Sequence, residues 1–290
     1  MLKEWPLVAF TIAGQTAVGI GLLVLLPLSL AAGILGNVRS RQVLLVVTAV
    51  ILGLLVVAAV LSFFHLSHPF RARHVLSNLR TSWLSREIFF ELAYMALVGL
   101  ALVLVATETT EGLLFRAVAG AAALSGILFL VSMSKLYMLA SVPPWASPYT
   151  GISFFITALT LGAMTTVWIT GSPAGDPSSY LSRLWTASLF FLAGDIFFAA
   201  LLAPQYGVAG LRLGPSLRPL PRVPRLLHRG RLALLAGGLL IMALAIVTNI
   251  PGAAGGSSSW PVMTLAFVLV LLGEIAGRFF FYGLVPRIGD

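Results

Sequence analysis

The chain has no cysteine among its 290 residues. It therefore cannot ligate an iron–sulfur cluster through thiolates or form a disulfide, and any such centre must belong to a partner. Histidine is also scarce: of the four present, His65, His68 and His74 lie close together and only His228 lies elsewhere. Because a membrane haem needs axial ligands that face each other from separate helices, we expect neither haem nor another metal site in this chain.

Charge is the second scarcity. Only 9% of the residues are charged, 59% are hydrophobic and the mean hydropathy is +1.02, values far from those of a soluble domain. A helix needs about 20 apolar residues to cross the hydrocarbon, and long continuous runs exclude a barrel. We therefore predict an all-α integral membrane protein, with residues 1–290 forming a single bundle of about eight transmembrane helices. The predicted spans are 6–34, 43–65, 87–106, 113–139, 150–170, 181–202, 231–250 and 261–284. The first run is too long and too weakly basic at its start for a cleaved signal peptide, so we count it as a membrane helix.

Basic residues concentrate in two long connections, 66–86 and 203–230. With eight spans, both connections lie on the side that holds the two termini, which we call side A. The proline-rich connection 203–230 is predicted to be neither helix nor strand. These arginines have two interpretations that can both hold: a signal for topology and lipid headgroups, with side A cytoplasmic, or a dock for a soluble protein partner. We expect no nucleic-acid partner. The candidate docking residues are Arg71, Arg73, Arg80, Arg218, Arg222 and Arg225.

Polar side chains inside the predicted spans gather in the side A half of the membrane. They are Gln15, His65, Glu87, Glu91, Lys135, Tyr137, Asp195, Glu274 and Arg278. A transporter needs polar groups or broken helices at the midplane and beyond. A one-sided distribution is more typical of a pocket for a lipid-soluble ligand that reacts near one face.

The pair His65 and Glu87 points to the chemistry. His65 ends the second predicted span and Glu87 begins the third, and an imidazole and a carboxylate can accept the protons that a quinol loses on oxidation. Glu87, Glu91 and Tyr94 share a helix face through their spacing of four and three residues. The alternatives are that His65 and Glu87 are wetted interfacial residues, and that Glu91 pairs with an arginine or stabilises the helix start.

Other polar residues have structural interpretations. Glu274 and Arg278 are four residues apart and are predicted to neutralise each other. Lys135 either borders the pocket or extends to the interface. Asp195 is a lone carboxylate for which the sequence indicates no partner, and His228 lies in a basic run that we predict to be a loop.

Several short motifs resemble the dimethyl sulfoxide reductase anchor subunit (DmsC) family, which is related to the NrfD/polysulfide reductase membrane subunits. The motifs are Trp5-Pro6, Phe10-Thr11, Gly14-Gln15, His65-Leu66 with Pro69 and Arg71-Ala72, Leu84-Ser85 with Glu87-Ile88, Gly273-Glu274 with Gly277-Arg278, and Phe281-Tyr282-Gly283. The similarity runs from end to end and is strongest in residues 5–15, 61–88 and 271–283.

The resemblance implies a cofactor-free anchor in the cytoplasmic (inner) membrane of a prokaryote. It implies that menaquinone or ubiquinone binds as a ligand, and that electrons pass between the quinone pool and an iron–sulfur subunit. That subunit would in turn serve a molybdopterin catalytic subunit. By position in the family pattern, His65 and Glu87 would bind the quinol. Lys135 falls where that pattern has an arginine near a tyrosine, and Tyr137 falls near that tyrosine. We expect Gln15, Lys135 and Tyr137 to shape the pocket. A solute transporter and a purely structural anchor are the competing hypotheses.

Overall fold

A computed structural model describes residues 4–30, 38–65, 78–140, 145–170, 180–212, 222–247 and 260–284. Eight helices in these ranges are long and apolar enough to cross a membrane, and none of the described residues forms a strand. This confirms the prediction of an all-α membrane protein with eight spans. The helices are α1 (Trp5–Leu30), α2 (Val38–His65), α3 (Trp83–Ala106), α4 (Leu113–Tyr137), α5 (Pro148–Thr170), α6 (Tyr180–Arg212), α7 (Arg222–Val247) and α8 (Trp260–Tyr282).

The proline- and arginine-rich connection differs from the prediction. Residues 203–230 were expected to be irregular, but α6 continues to Arg212 and α7 already begins at Arg222. Arginine and leucine are good helix formers, and Pro224 falls in the first turn of α7, where a missing backbone N–H breaks no intrahelical bond. Only 213–221 of this segment lies outside the described residues. His228 and Arg231 therefore lie about two turns inside α7 and not before it or at its start.

The helices pack as two rings of four. In the first ring, α1 packs on α2, α2 on α3, α3 on α4, and α4 returns to α1; in the second, α5 to α8 repeat the same order of contacts. The two bundles meet where α1 packs against α5, with smaller contacts between α1 and α8 and between α4 and α5. Because consecutive spans alternate in direction, α1 and α5 both run from side A to side B.

Small residues set the joint between the bundles. A Cβ added to Gly19 of α1 would overlap the carbonyl oxygen of Ala158 in α5, and a Cβ on Gly162 would lie 2.6 Å from the Cα of Gly19. Glycine at both positions lets the two backbones touch, as small residues commonly do between membrane helices. The close crossing holds the side A half of α1 beside α5 and α8.

A second contact fixes α3 against α1. The hydroxyl of Tyr94 donates to the carbonyl oxygen of Ala17 at 2.9 Å. Gly21 opens a π-helical turn of α1, Gly21–Leu25, and a Cβ there would collide with the Tyr94 hydroxyl. This contact therefore orients the face of α3 that carries Tyr94 toward the interior of the first bundle.

Candidate functional site

Two carboxyl groups of α3 face the interior of the first bundle. The Ser82 hydroxyl accepts the backbone N–H of Ser85 at 3.2 Å and so defines the start of α3, which places Glu87 in its second turn. Glu87 is 2% exposed and Glu91 3% exposed, and with Tyr94 they form the shared buried face that their spacing predicts. Within the described ranges, Oε1 of each glutamate has no hydrogen-bond partner.

This burial bears on the alternatives raised for both residues. Glu87 is not a wetted interfacial residue, because its side chain is enclosed by protein. Glu91 forms no salt bridge with any arginine that the structure describes. A buried polar atom without a partner is costly, so an oxygen of this kind at the membrane edge is a candidate for binding a ligand.

An aromatic cluster lies at side A, where α4 and α8 end. Tyr137 ends α4, and its ring lies 5.4 Å from that of Tyr282 and 5.6 Å from that of Trp145. The indole N–H of Trp145 donates to the carbonyl oxygen of Phe281 at 2.9 Å, which ties the turn before α5 to the end of α8. Tyr137 has Glu87, Tyr282 and Arg278 among its electrostatic neighbours. The cluster thus brings α3, α4 and α8 to one place between the bundles.

Gln15 joins α1 to the same region. Nη2 of Arg278 donates to Oε1 of Gln15 at 2.8 Å, and the guanidinium carbon lies 4.0 Å from the centre of the Phe154 ring. On its other side, Nε2 of Gln15 lies 3.7 Å from the sulfur of Met133 in α4. Gln15, predicted to shape the pocket, is therefore fully buried at the junction of α1, α4 and α8.

A second polar network fills the core of the second bundle, with one residue from each of its helices. Arg231 of α7 donates to Asp195 of α6 at 2.7 Å and to Glu274 of α8 at 3.1 Å. The hydroxyl of Thr157 in α5 donates to the other oxygen of Glu274 at 2.7 Å. We call these four residues the second-bundle network. All four are buried; both carboxyl groups contact the one guanidinium, and Oδ2 of Asp195 has no hydrogen-bond partner among the described residues.

The network corrects the predicted pairing of Glu274 with Arg278. Although the two are one turn apart on α8, Arg231 and Thr157 occupy Glu274, and Arg278 reaches α1 instead. Glycine makes room for this exchange, because a Cβ on Gly277 would lie 2.8 Å from Cδ of Arg231. Arg231 fits into the groove that this glycine leaves on α8.

Arg231 is the main residue that the sequence analysis missed, and it is the partner that Asp195 lacked. With the seventh span predicted from residue 231, this arginine fell at a helix end. The arginine-rich helix start at 222 and the glycines at 273 and 277 are the signals that point to it. His228 is corrected for the same reason: it is a buried residue of α7 whose ring lies 5.1 Å from Phe280.

The remaining predicted residues are exposed or lie outside the described residues. Lys135 has an exposed side chain, as expected of a lysine that extends to the interface. His65 is the last residue of α2, and its side chain lies outside the described part. Of the candidate docking residues, Arg80 and Arg225 are exposed, Arg222 begins α7 without a described side chain, and Arg71, Arg73 and Arg218 lie outside the described residues.

An apolar cleft of about 520 Å³ runs between the bundles. Its walls come from α1, α2, α5 and α8 and include Ile12, Leu54, Leu161, Trp168, Leu271 and Phe279. Its lining is almost wholly hydrocarbon. In the described ranges, no group of three or more His, Asp or Glu side chains is arranged to hold a metal ion.

Comparison with known proteins gives a consistent result over nearly the whole sequence. The family model "DMSO reductase anchor subunit (DmsC)" matches residues 1–284. The C subunit of anaerobic dimethyl sulfoxide reductase from Haemophilus influenzae is 30% identical over 294 residues, which cover 99% of this protein and 97% of that relative. The corresponding C subunit from Escherichia coli K12 is 26% identical over 307 residues, covering 99% and 96%. The anaerobic dimethyl sulfoxide reductase subunit YnfH from the same organism is 28% identical over 298 residues, again covering 99% and 96%.

Proposed function

Because this chain belongs to the DMSO reductase anchor subunit (DmsC) family, we propose that it binds quinol at the junction of its two bundles. In this proposal it passes electrons between the quinone pool and an iron–sulfur subunit, which serves a molybdopterin subunit that reduces dimethyl sulfoxide. The chain supplies the membrane anchor and the quinol site. The membrane is the cytoplasmic membrane of a prokaryote, and the ligand is menaquinol or ubiquinol.

The buried carboxyl group of Glu87 carries this proposal. A quinol hydroxyl needs an acceptor for its proton, and Oε1 of Glu87 is a buried acceptor without a partner among the described residues. The residue lies one turn inside α3, about 6 Å from the helix start, so a ligand there would sit close to side A. A proton accepted at this depth has a short path to water.

The surroundings of Glu87 suit a flat aromatic ligand. Tyr137 and Tyr282, which have Glu87 among their electrostatic neighbours, are aromatic groups of the kind that pack against such a ligand. His65 ends α2 on the same side and would take the second proton. Gln15 shapes the pocket from α1, whereas Lys135, with its exposed side chain, suits lipid headgroups or a partner.

In this proposal the iron–sulfur clusters belong to the partner subunit. That subunit must therefore bind close to the quinol for electrons to reach a cluster. Exposed arginines on side A would hold the iron–sulfur subunit near the quinol site. Arg80 precedes α3 and Arg225 lies in the first turns of α7, both with exposed side chains; Arg71, Arg73, Arg218 and Arg222 complete the proposed dock.

A transporter is less well supported. The buried charged and amide groups of the described spans, Gln15, Glu87, Glu91, Asp195, Arg231, Glu274 and Arg278, lie on the side A half of their helices or in the second-bundle network. A path across the membrane would need such groups on the side B half as well.

Replacing Glu87 with glutamine tests the proposal. Glu87→Gln keeps the shape and removes the proton acceptor, and general-base catalysis contributes about 100-fold to 10,000-fold. In the complex purified with its partners, menadiol-dependent turnover should fall by at least about 100-fold. Turnover with an artificial electron donor to the partner subunits should stay normal.

The matched control is Glu111→Gln, at an exposed glutamate between α3 and α4 on side B. It should keep full menadiol turnover. Normal menadiol turnover in Glu87→Gln would place the quinol site elsewhere. Intact assembly together with unchanged turnover in both Glu87→Gln and His65→Ala would support a purely structural anchor.

A further inference from the structure

Arg278 is a buried cation that has no direct anionic partner among the described residues. It is 3% exposed, and none of the salt bridges between described residues includes it. Its neighbour one turn away, Glu274, is taken by Arg231 and Thr157. Fully buried arginines are rare unless paired. The burial of this guanidinium therefore indicates a functional role.

The guanidinium lies between the second-bundle network, with which Arg278 lines a small cavity, and the junction of the two bundles. Nη2 donates to Gln15 of α1 at 2.8 Å, and the group stacks on Phe154 of α5. A guanidinium has five N–H donors, and the bond to Gln15 is the one side-chain hydrogen bond that Arg278 makes within the described ranges. Donors therefore remain for a ligand.

The groups around Arg278 complement it. Tyr282 and Tyr137 have both Arg278 and Glu87 among their electrostatic neighbours. Oε1 of Glu87 is buried without a hydrogen-bond partner among the described residues, and the Tyr282 hydroxyl lies beside those of Tyr137 and Thr11. Tyr137 and Tyr282 thus link the guanidinium of α8 to the carboxyl group of α3, and Gln15 contacts the guanidinium from α1.

We propose that Arg278 is a headgroup-binding residue of the quinol site and donates a hydrogen bond to one ring oxygen of the ligand. The inference rests on the proposed function and assigns a second polar contact opposite Glu87. When the O–H bond of a quinol breaks and its proton passes to the Glu87 carboxylate, the electron pair stays on the quinol oxygen. The guanidinium stabilises the resulting quinolate anion, as charge-assisted donors do.

The second-bundle network has a role in this arrangement. Arg231 forms contact ion pairs with Glu274 and Asp195 and so competes with Arg278 for these carboxyl groups. The network therefore acts as a positioning device that leaves Arg278 extended toward α1. This explains why two arginines are buried next to two carboxylates, yet only one of them forms contact ion pairs.

Arg278→Gln tests the assignment in the purified complex. The measurements are the KM for menadiol and the Kd of a heptyl hydroxyquinoline N-oxide, followed by quenching of its fluorescence. Loss of a charge-assisted hydrogen bond should weaken both by about tenfold to a hundredfold, with artificial-donor turnover unchanged. Arg278→Lys keeps the cation and should be affected less than Arg278→Gln.

Arg116→Gln, the same change at an exposed arginine of α4, is the control and should keep both constants at their wild-type values. Wild-type KM and Kd in Arg278→Gln would overturn the assignment. Should Arg278→Gln fail to assemble, Gln15→Leu removes its anchoring contact without removing charge, and we expect a several-fold rise in KM. Unchanged constants in both Gln15→Leu and Arg278→Lys would also overturn it.

The result separates this inference from the proposed function. If Glu87→Gln abolishes menadiol turnover while Arg278→Gln keeps normal constants, the quinol site stands and only the role of Arg278 falls. If Glu87→Gln and Arg278→Gln both turn over menadiol normally, the proposed function falls with it.

Discussion

The two four-helix bundles carry similar acidic residues in different states. In the first bundle, Glu87 and Glu91 are buried with an oxygen that no described residue satisfies. In the second, Glu274 receives bonds from Arg231 and Thr157, and Asp195 receives one from Arg231 at Oδ1, although its Oδ2 has no partner among the described residues. A buried acid that is paired with a cation stabilises one packing of the helices. At a buried acid without a partner, a ligand can supply the missing hydrogen bond. The acids of the second bundle share a cation and those of the first do not, and on this difference rests our proposal that the ligand binds beside Glu87.

The largest effect should come from breaking the second-bundle network. Arg231→Leu leaves two buried carboxylates without their cation, and removal of one partner of a buried ion pair costs about 3–5 kcal/mol. We expect low membrane yield and a lower Tm in detergent. Glu87→Gln should leave the Tm unchanged or raise it slightly, because it removes a carboxyl that has no cation to lose.

Restoring neutrality provides the control for that prediction. Combining Arg231→Leu with Asp195→Asn and Glu274→Gln removes the orphaned charges, so part of the lost Tm should return. If Arg231→Leu alone is as stable as the wild type, the second-bundle network is not the structural element that distinguishes the second bundle from the first.

The sequence predicted the class, the number of spans and the buried face of α3, because these depend on hydrophobic length and on local spacing. It failed for Arg231 and Arg278, whose partners come from helices 36 and 263 residues away in the chain. A spacing of four residues correctly predicted that Glu274 and Arg278 lie on neighbouring turns. It could not show that Arg231 enters the groove left by Gly277 and displaces that pairing. Long-range competition of this kind is not encoded in a local pattern.

An intermediate effect should follow from separating the bundles. Gly162→Leu places a large side chain against the backbone of Gly19, and overpacking of a tight contact costs typically about 1–3 kcal/mol. Because the crossing holds α1 beside α5 and α8, we expect both a moderate fall in Tm and a higher KM for menadiol. Gly120→Leu, at a glycine of α4 with open space around its Cα, is the control and should change neither.

That experiment also sharpens the contrast between the bundles. The proposed quinol site draws on Gln15 and Glu87 from the first bundle and on Tyr282 from the second. If the quinol site lies at the junction of the two bundles, a change in the packing there should alter the KM for menadiol. A fall in Tm without any change in KM would show that the quinol site lies wholly inside the first bundle.

The smallest effects should come from single arginines on the surface of each bundle. Arg80 lies before α3 in the first bundle and Arg225 in α7 of the second, and both are exposed. An exposed charge pair contributes only about 0–1 kcal/mol, so Arg80→Glu or Arg225→Glu alone should leave the iron–sulfur subunit bound. A variant in which all six candidate docking arginines are changed to glutamate should release that subunit from membranes while the anchor stays folded. These arginines are Arg71, Arg73, Arg80, Arg218, Arg222 and Arg225. Release is measured as loss of the iron–sulfur subunit from the co-purified complex. Because salt screens exposed charges, higher ionic strength should also weaken binding of that subunit to the wild-type anchor.

Changing only the arginines of one bundle then shows which bundle holds the partner. If the iron–sulfur subunit still co-purifies with the variant that has all six substitutions, these arginines serve topology and not docking.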